Sequence, residues 1–116
     1  MYAVNRLAVH IRWKKPMLDW VNSLPNEGKY TEFGENDVDD EATVFLIPDF
    51  ENLEEAEEYL DELKPMLFET ELESWTDERK RWPAFRNKKM FDEWFDARLS
   101  SMTLDLVEEP LEREDF

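Results

Sequence analysis

The alternation of residues 3–13, AVNRLAVHIRW, constrains the fold of this chain more than any other stretch. One row of side chains is large and apolar, and it consists of Leu7, Val9, Ile11 and Trp13. The row between them consists of Arg6, Ala8, His10 and Arg12. A period of two with one polar side is typical of a strand that buries a single face. The sequence therefore predicts a sheet that is covered on one side.

Proline and glycine mark the next boundaries. Pro16 suits the first turn of a short amphipathic helix, and Pro25 ends it. Residues 25–41 contain both glycines of the chain and little periodicity, which predicts an exposed loop. The apolar run ATVFLI, residues 42–47, predicts a strand that is covered on both faces and therefore central.

The second half of the chain is mostly helical in pattern. Asn52 and Glu55 form an N-cap pair for a helix that Pro65 kinks or ends near Lys64. The apolar stripe of this helix is Leu53, Ala56, Leu60 and Leu63. A further helical segment with Phe68, Leu72 and Trp75 on one face follows at once.

The last two elements are predicted from a cap and from alternation. Asn87 caps a helix over KKMFDEWFDARL, in which Met90, Phe91, Trp94 and Phe95 face the core. SSMTLDLVEE, residues 100–109, predicts a closing strand with Met102, Leu104 and Leu106 on one side.

These elements predict an α+β fold in the order β-α-β-α-α-β. We expect one compact domain over residues 1–109, with a three-stranded mixed sheet and helices packed on one face. The first helix would connect the first two strands as a parallel, right-handed crossover. Residues 110–116, PLEREDF, predict an acidic, frayed tail.

The net charge of the chain is -16, from 30 acidic and 14 basic residues. Such a charge repels phosphate backbones and anionic lipids, so we expect neither a nucleic acid nor a membrane as partner. A basic protein is the partner that this charge would attract. The chain has no cysteine, no apolar run of about 20 residues and no signal-peptide pattern. These features predict a cytoplasmic location.

Charge is strongly segregated along the chain. Residues 35–78 contain eighteen acids and one base, Lys64, whereas residues 79–89 contain six bases and no acid. The acidic part lies on a helical face, and the basic part, RKRWPAFRNKK, contains Trp and Arg, which are the usual anchors of protein interfaces. The predicted partner-binding residues are Glu54, Glu58, Asp61, Glu62, Arg79, Arg81, Trp82 and Arg86.

Several interpretations of this charge pattern stay open. The acidic face can simply keep the protein in solution. It can also bind residues 79–89 of the same chain, or imitate a nucleic acid and inhibit a basic protein. The basic stretch can grip single-stranded nucleic acid by stacking. Alternatively, Trp82 and Phe85 fill the core while neighbouring carboxylates pair with the cations.

No motif in the sequence indicates a known chemistry. His10 is the single histidine, and no serine stands in a G-x-S-x-G turn. DVDDE, residues 37–41, fails the calcium-loop pattern because its sixth position is Ala42. Two glycines cannot form a P-loop or a dinucleotide-binding turn. We predict no catalytic residue, cofactor or metal site, and a small enzyme that uses paired carboxylates is the remaining alternative of this kind.

Some stretches carry a resemblance: TVFLIPDFENLEEAEEYLDEL, ELESW, WP and KMFDEWFDARLSSMTLDLVEE. Through them, residues 1–109 resemble small acidic bacterial proteins of the cytosol, a group to which no activity is attached. The resemblance implies a single intracellular domain. Together with the charge pattern, it leads us to expect a non-catalytic protein-interaction module of unknown function. A homodimer formed through the open side of the sheet, around Arg6, Ala8 and His10, is a variant of this hypothesis.

Overall fold

A computed structural model describes residues 1–25, 28, 32–38 and 41–116. These residues form an α+β fold with three helices and two sheets. The strands are β1 (Tyr2–Ala3), β2 (Arg6–Trp13), β3 (Thr43–Pro48), β4 (Phe95–Leu99) and β5 (Leu104–Asp105). The helices are α1 (Lys15–Ser23), α2 (Leu53–Glu73) and α3 (Lys88–Trp94), and short 3-10 turns span Glu35–Asp37 and Arg79–Arg81.

The main sheet has the order β3-β2-β4, and all its pairings are antiparallel. The predicted alternation of β2 is confirmed, because Leu7, Val9, Ile11 and Trp13 are all buried while His10 and Arg12 are exposed. We call the buried set the inner row of β2. A second sheet consists of β1 and β5 alone.

Aromatic rings from three elements pack together in the core. Phe91 of α3 and Phe95 of β4 have ring centroids 4.9 Å apart. Phe68 of α2 lies edge-on to Phe95 at 5.4 Å. Each of these rings is almost completely buried, so α2 and α3 are fixed to the sheet by ring packing.

The predicted mixed sheet with a parallel first pair is wrong. β2 and β3 are antiparallel, with Ile11 opposite Thr43. Asn22 of α1 contacts the segment that precedes β3, because its side-chain amide donates to the Phe33 carbonyl and accepts from the Phe33 amide, both at 2.9 Å. The Phe33 ring also packs edge-on against Trp13 at the end of β2. The chain is therefore held where β2 ends, and β3 starts from there.

The position of β3 also corrects a prediction. The apolar run was expected to be central and covered on both faces, but β3 lies at the edge of the sheet and β2 is central. Ile47 is buried, whereas Val44 and Leu46 are each 51% exposed. One face of the sheet is therefore open, and the apolar side chains of β3 divide between the two faces.

The helical boundaries differ from the expectation in two places. α2 continues through Pro65, so one helix replaces the two predicted segments, and Leu53 at its start is exposed rather than buried. α3 ends at Trp94 rather than near Leu99. Phe95 then begins β4, which pairs with the free edge of β2. The burial of both Phe91 and Phe95 is confirmed.

The segments beside the main sheet show two further differences. Only Leu104–Asp105 of the predicted closing strand is a strand, and it pairs with β1. The described part of the predicted loop 25–41 contains a 3-10 turn at Glu35–Asp37 and buried Val38. Residues 26, 27, 29–31, 39 and 40 lie outside the described residues.

Glu71 is a carboxylate of α2 that is only 4% exposed. Burial raises its pKa, and contacts with the side chains of Thr43 and Trp13 oppose that rise in part. A carboxyl group whose pKa is higher in the folded state favours folding while it is protonated, and this contribution is lost as pH rises through the folded pKa. Ionised Glu71 therefore costs stability at neutral pH.

We predict that Glu71→Gln raises the free energy of unfolding at pH 7.5 by about 1 kcal/mol, because it removes a buried charge and keeps the shape of the side chain. Urea unfolding from pH 8 down to pH 5 measures this, and the advantage should shrink toward the acidic end. Glu73→Gln is the matched control, since Glu73 is exposed on the same helix. An equal effect of both variants would contradict the prediction.

Candidate functional site

The acidic part of α2 begins at a well-formed N-terminus. The Asn52 side chain accepts a hydrogen bond from the Glu54 amide at 2.7 Å. Glu54 and Glu55 lie in the first turn, where the helix dipole favours negative charge. The predicted Asn52 cap is confirmed, and it lets a strongly acidic sequence start a helix without a nearby cation.

Glu54, Glu58 and Glu62 follow one another at four-residue intervals and are all exposed. We call these three residues the acidic face. None of them forms an ion pair with another residue of the described chain. Like charges at this spacing repel one another by a few tenths of a kcal/mol per pair. The acidic face is therefore a row of carboxylates whose repulsion a cationic partner would relieve.

Asp61 does not share this environment, although it was predicted with the acidic face. Its carboxylate accepts from the Lys64 ammonium at 2.9 Å, and Lys64 also donates to Asp92 of α3 at 2.8 Å. Lys88 binds the other Asp92 oxygen at 2.8 Å. These ion pairs join α2 to α3, so Asp61 belongs to a structural network.

The two charged groups at the centre of this network shift each other's pKa. Burial alone lowers the pKa of Lys64, but hydrogen bonds and charge from Asp92 and Asp61 outweigh burial and raise it above its usual value. Burial alone raises the pKa of Asp92, but Lys64 and Lys88 outweigh burial and lower it. Both groups are therefore held in their charged forms at neutral pH.

The basic stretch folds back onto the C-terminal half of α2. Arg79 and Arg86 each donate to one Glu69 oxygen at 3.1 Å. Their guanidinium groups also stack on the Trp82 ring, 4.8 and 5.5 Å from its centroid. The Trp82 indole N–H donates to the Thr76 carbonyl at 3.0 Å. We call Glu69, Arg79, Trp82 and Arg86 the Glu69 clasp.

Arg81 and Phe85 of the basic stretch lie outside the Glu69 clasp. Arg81 pairs with Glu78, and its carbonyl accepts from the Trp20 indole at 2.9 Å. Trp82 is half-buried against the core, but Phe85 is largely exposed. Of the two aromatic side chains considered as core-filling, Trp82 packs on the core and Phe85 does not.

The structure thus separates the predicted site residues into three groups. Glu54, Glu58 and Glu62 form the acidic face, Asp61 joins the Lys64 network, and the arginines and Trp82 lie beyond them around Glu69 and Glu78. Sequence reasoning missed Glu69 and Asp92. Glu69 lies seven residues after Glu62, on the same side of a continuous helix, and the expected break at Pro65 concealed this relation.

A cavity of about 270 Å³ lies between α2 and β4, and its lining includes Glu57, Asp61 and Lys64. Asp61 is already bound by Lys64 there. Among the described residues, no three side chains of the metal-binding types come together. His10 is exposed on the open side of the sheet.

No family model, curated protein or solved structure matches this chain. Within the described part of the chain, no helix combines the length and the apolar content that crossing a membrane requires.

We predict that Glu69→Gln loosens residues 79–86, because two guanidinium groups lose their shared charged acceptor. Stability should fall by about 0.5–1 kcal/mol, since the pairs are partly exposed and the stacking on Trp82 persists. Hydrogen exchange of the Trp82 indole N–H and of the backbone over 79–86 is the direct measurement. Glu73→Gln is the control, and unchanged protection in Glu69→Gln would show that the clasp does not hold the segment.

Proposed function

We propose that this protein is a non-catalytic protein-interaction module, and that the acidic face of α2 binds a basic surface of a partner protein. The observation that carries the proposal is the row formed by Glu54, Glu58 and Glu62, which is exposed and without ion pairs in the described chain. On the same helix, by contrast, Asp61, Lys64 and Glu69 are matched by ion pairs within the molecule.

This contrast within one helix supports a binding role. The chain has a dense group of cations in residues 79–89, directly after α2. Four of these six cations, Arg79, Arg81, Arg86 and Lys88, pair with Glu69, Glu78 and Asp92, and none of the four pairs with the acidic face. If the acidic face served only for pairing within the molecule, we would expect these cations to bind it.

The basic stretch supplies the second part of the proposed surface. The Glu69 clasp gives this segment a defined shape, and Arg79 and Arg81 keep much of their side chains exposed. Phe85 projects beside them as a large exposed apolar group. In the proposal, the acidic face attracts the partner and the Arg/Trp segment gives a shaped contact at the other end of α2.

The test is a comparison of two triple variants that lose the same three charges. In the first, Glu54, Glu58 and Glu62 are each replaced by Gln. In the second, Glu73 and Glu93 become Gln and Asp77 becomes Asn, all at exposed positions outside the acidic face. Each variant is used with the wild type for affinity purification from the cells that naturally make the protein.

We expect the wild type and the second variant to retain the same stoichiometric partner, and the first variant to bind it at least about tenfold more weakly. Affinity should also fall steeply as salt rises. Equal binding by the two variants would contradict the proposal. A partner that binds nucleic acid, and that DNA or RNA displaces from this protein, would instead identify the acidic face as a nucleic-acid mimic.

A further inference from the structure

Exposed apolar side chains border one another around the sheet formed by β1 and β5 and along the open side of β3. They are Tyr2, Leu104, Val107 and Leu111 beside the small sheet, and Val44 and Leu46 on β3. Leu53, Met66 and Phe85, on α2 and in the segment after it, are also exposed. Apolar surface that is gathered in this way marks an interaction site rather than the scattered exposure found on most proteins.

The sheet formed by β1 and β5 lies at the centre of this surface. Tyr2, Ala3 and Leu104 are exposed, and Asp105 is half-buried. A two-stranded sheet is marginal in water unless further strands or a helix cover it. The core residues lie under the main sheet instead. This small sheet therefore stays largely exposed within the described chain.

Two adjoining cavities connect the small sheet to the open side of the main sheet. One, of about 320 Å³, is lined by residues that include Tyr2, Val4 and Leu111. The other, of about 630 Å³, shares Val4 and Leu111 and reaches Arg6 and Leu46. The surface beside β1 therefore continues to Leu46 of β3 through linings that mix apolar and charged side chains.

The open side of the main sheet is cationic, in contrast to the protein as a whole. Its side chains are Arg6, Ala8, His10, Arg12, Val44, Leu46, Asp96 and Arg98, and we call them the open sheet face. Leu46 lies opposite Ala8, and Val44 lies opposite His10. Asp96 is the one acid of this set, and Arg98 binds it at 3.2 Å. The face thus offers an apolar centre with basic side chains around it.

The C-terminal segment, residues 106–116, has the opposite charge. It contains Glu108, Glu109, Glu112, Glu114 and Asp115 but a single base, Arg113. Leu106, Val107, Leu111 and Phe116 are its exposed apolar side chains. A hydrogen bond at 2.7 Å from the Tyr2 hydroxyl to Glu108 fixes the start of the segment beside β1. The segment is therefore both acidic and apolar. These properties complement the basic and apolar side chains of the open sheet face.

We propose that this surface binds a second copy of the chain, with the C-terminal segment of each copy lying on the open sheet face of the other. In a two-fold dimer the same surface is used by both copies and must be complementary to itself. A surface with an acidic half and a basic half satisfies this condition, because each acidic half meets the basic half of the other copy. Direct packing of the two open sheet faces would oppose cations to cations. Within one copy, the segment borders the face at Arg6 and Leu46, and Phe116 stays fully exposed.

The first test measures association by sedimentation velocity over a range of protein concentrations. We expect the wild type to dimerise, and Leu46→Lys to raise the dimer dissociation constant at least about tenfold. Met66→Lys is the matched control, because Met66 is 54% exposed against 51% for Leu46 and lies on α2. Removal of residues 110–116 should weaken the dimer in the same way as Leu46→Lys.

The second test exchanges charge between the two halves of the surface. One variant carries Arg6→Glu and Arg98→Glu, and the other carries Glu112→Lys, Glu114→Lys and Asp115→Lys. Each alone opposes like charges at both contacts and should be monomeric. An equimolar mixture should form heterodimers, since each mixed contact again joins opposite charges. This rescue also shows that both variants are folded.

The result that would overturn the proposal is a wild type that stays monomeric up to several hundred micromolar. A dimer that Met66→Lys weakens as much as Leu46→Lys would also overturn it, as would a charge-exchanged mixture without heterodimers. The acidic face of α2 is not part of this surface. The triple Gln variant at Glu54, Glu58 and Glu62 should therefore dimerise normally, whatever its effect on partner binding.

Discussion

The one-sided burial of β2 is the constraint on which the rest of this structure depends. Its inner row needs a cover, and the helices supply it with rings such as Phe68 and Phe91. Because the helices occupy that side, the other side of the sheet stays open and carries Arg6, His10 and Arg12. The fold thereby keeps the cationic sheet side apart from the exposed carboxylates of α2.

Pairing within the molecule then determines which charges are available to partners. Lys64 meets Asp61 and Asp92, and Glu69 takes two arginines. These contacts join consecutive elements, since Lys64 links α2 to α3 and Glu69 holds the connection between them. Glu54, Glu58 and Glu62 form no ion pair in the described chain, so the negative charge near the start of α2 is not neutralised by neighbouring cations.

Features that depend on neighbouring residues could be predicted from the sequence, and features that depend on distant contacts could not. The parity of β2, the caps at Asn52 and Asn87, and the spacing of Glu54, Glu58 and Glu62 are all local. The antiparallel sheet joins residues that are far apart along the chain, such as Ile11 and Thr43. β4 was missed because Phe91 and Phe95 also fit a helical period, and only pairing with β2 favours a strand there. Glu69 was missed because Pro65 suggested that the helix ended before it.

The pairing of β1 with β5 places Tyr2 opposite Asp105 and Ala3 opposite Leu104, and Leu111, Glu112 and Arg113 line one cavity together with residues 3–6. The first residues and the last part of the polypeptide therefore lie close together. A tag or fused domain attached at either end would therefore emerge from the same corner of the molecule. A circular permutant, in which the two ends are joined and new ends are opened elsewhere in the chain, would need only a short linker. A bulky fusion there would shield the small sheet, so the proposed dimer should be studied with both ends untagged.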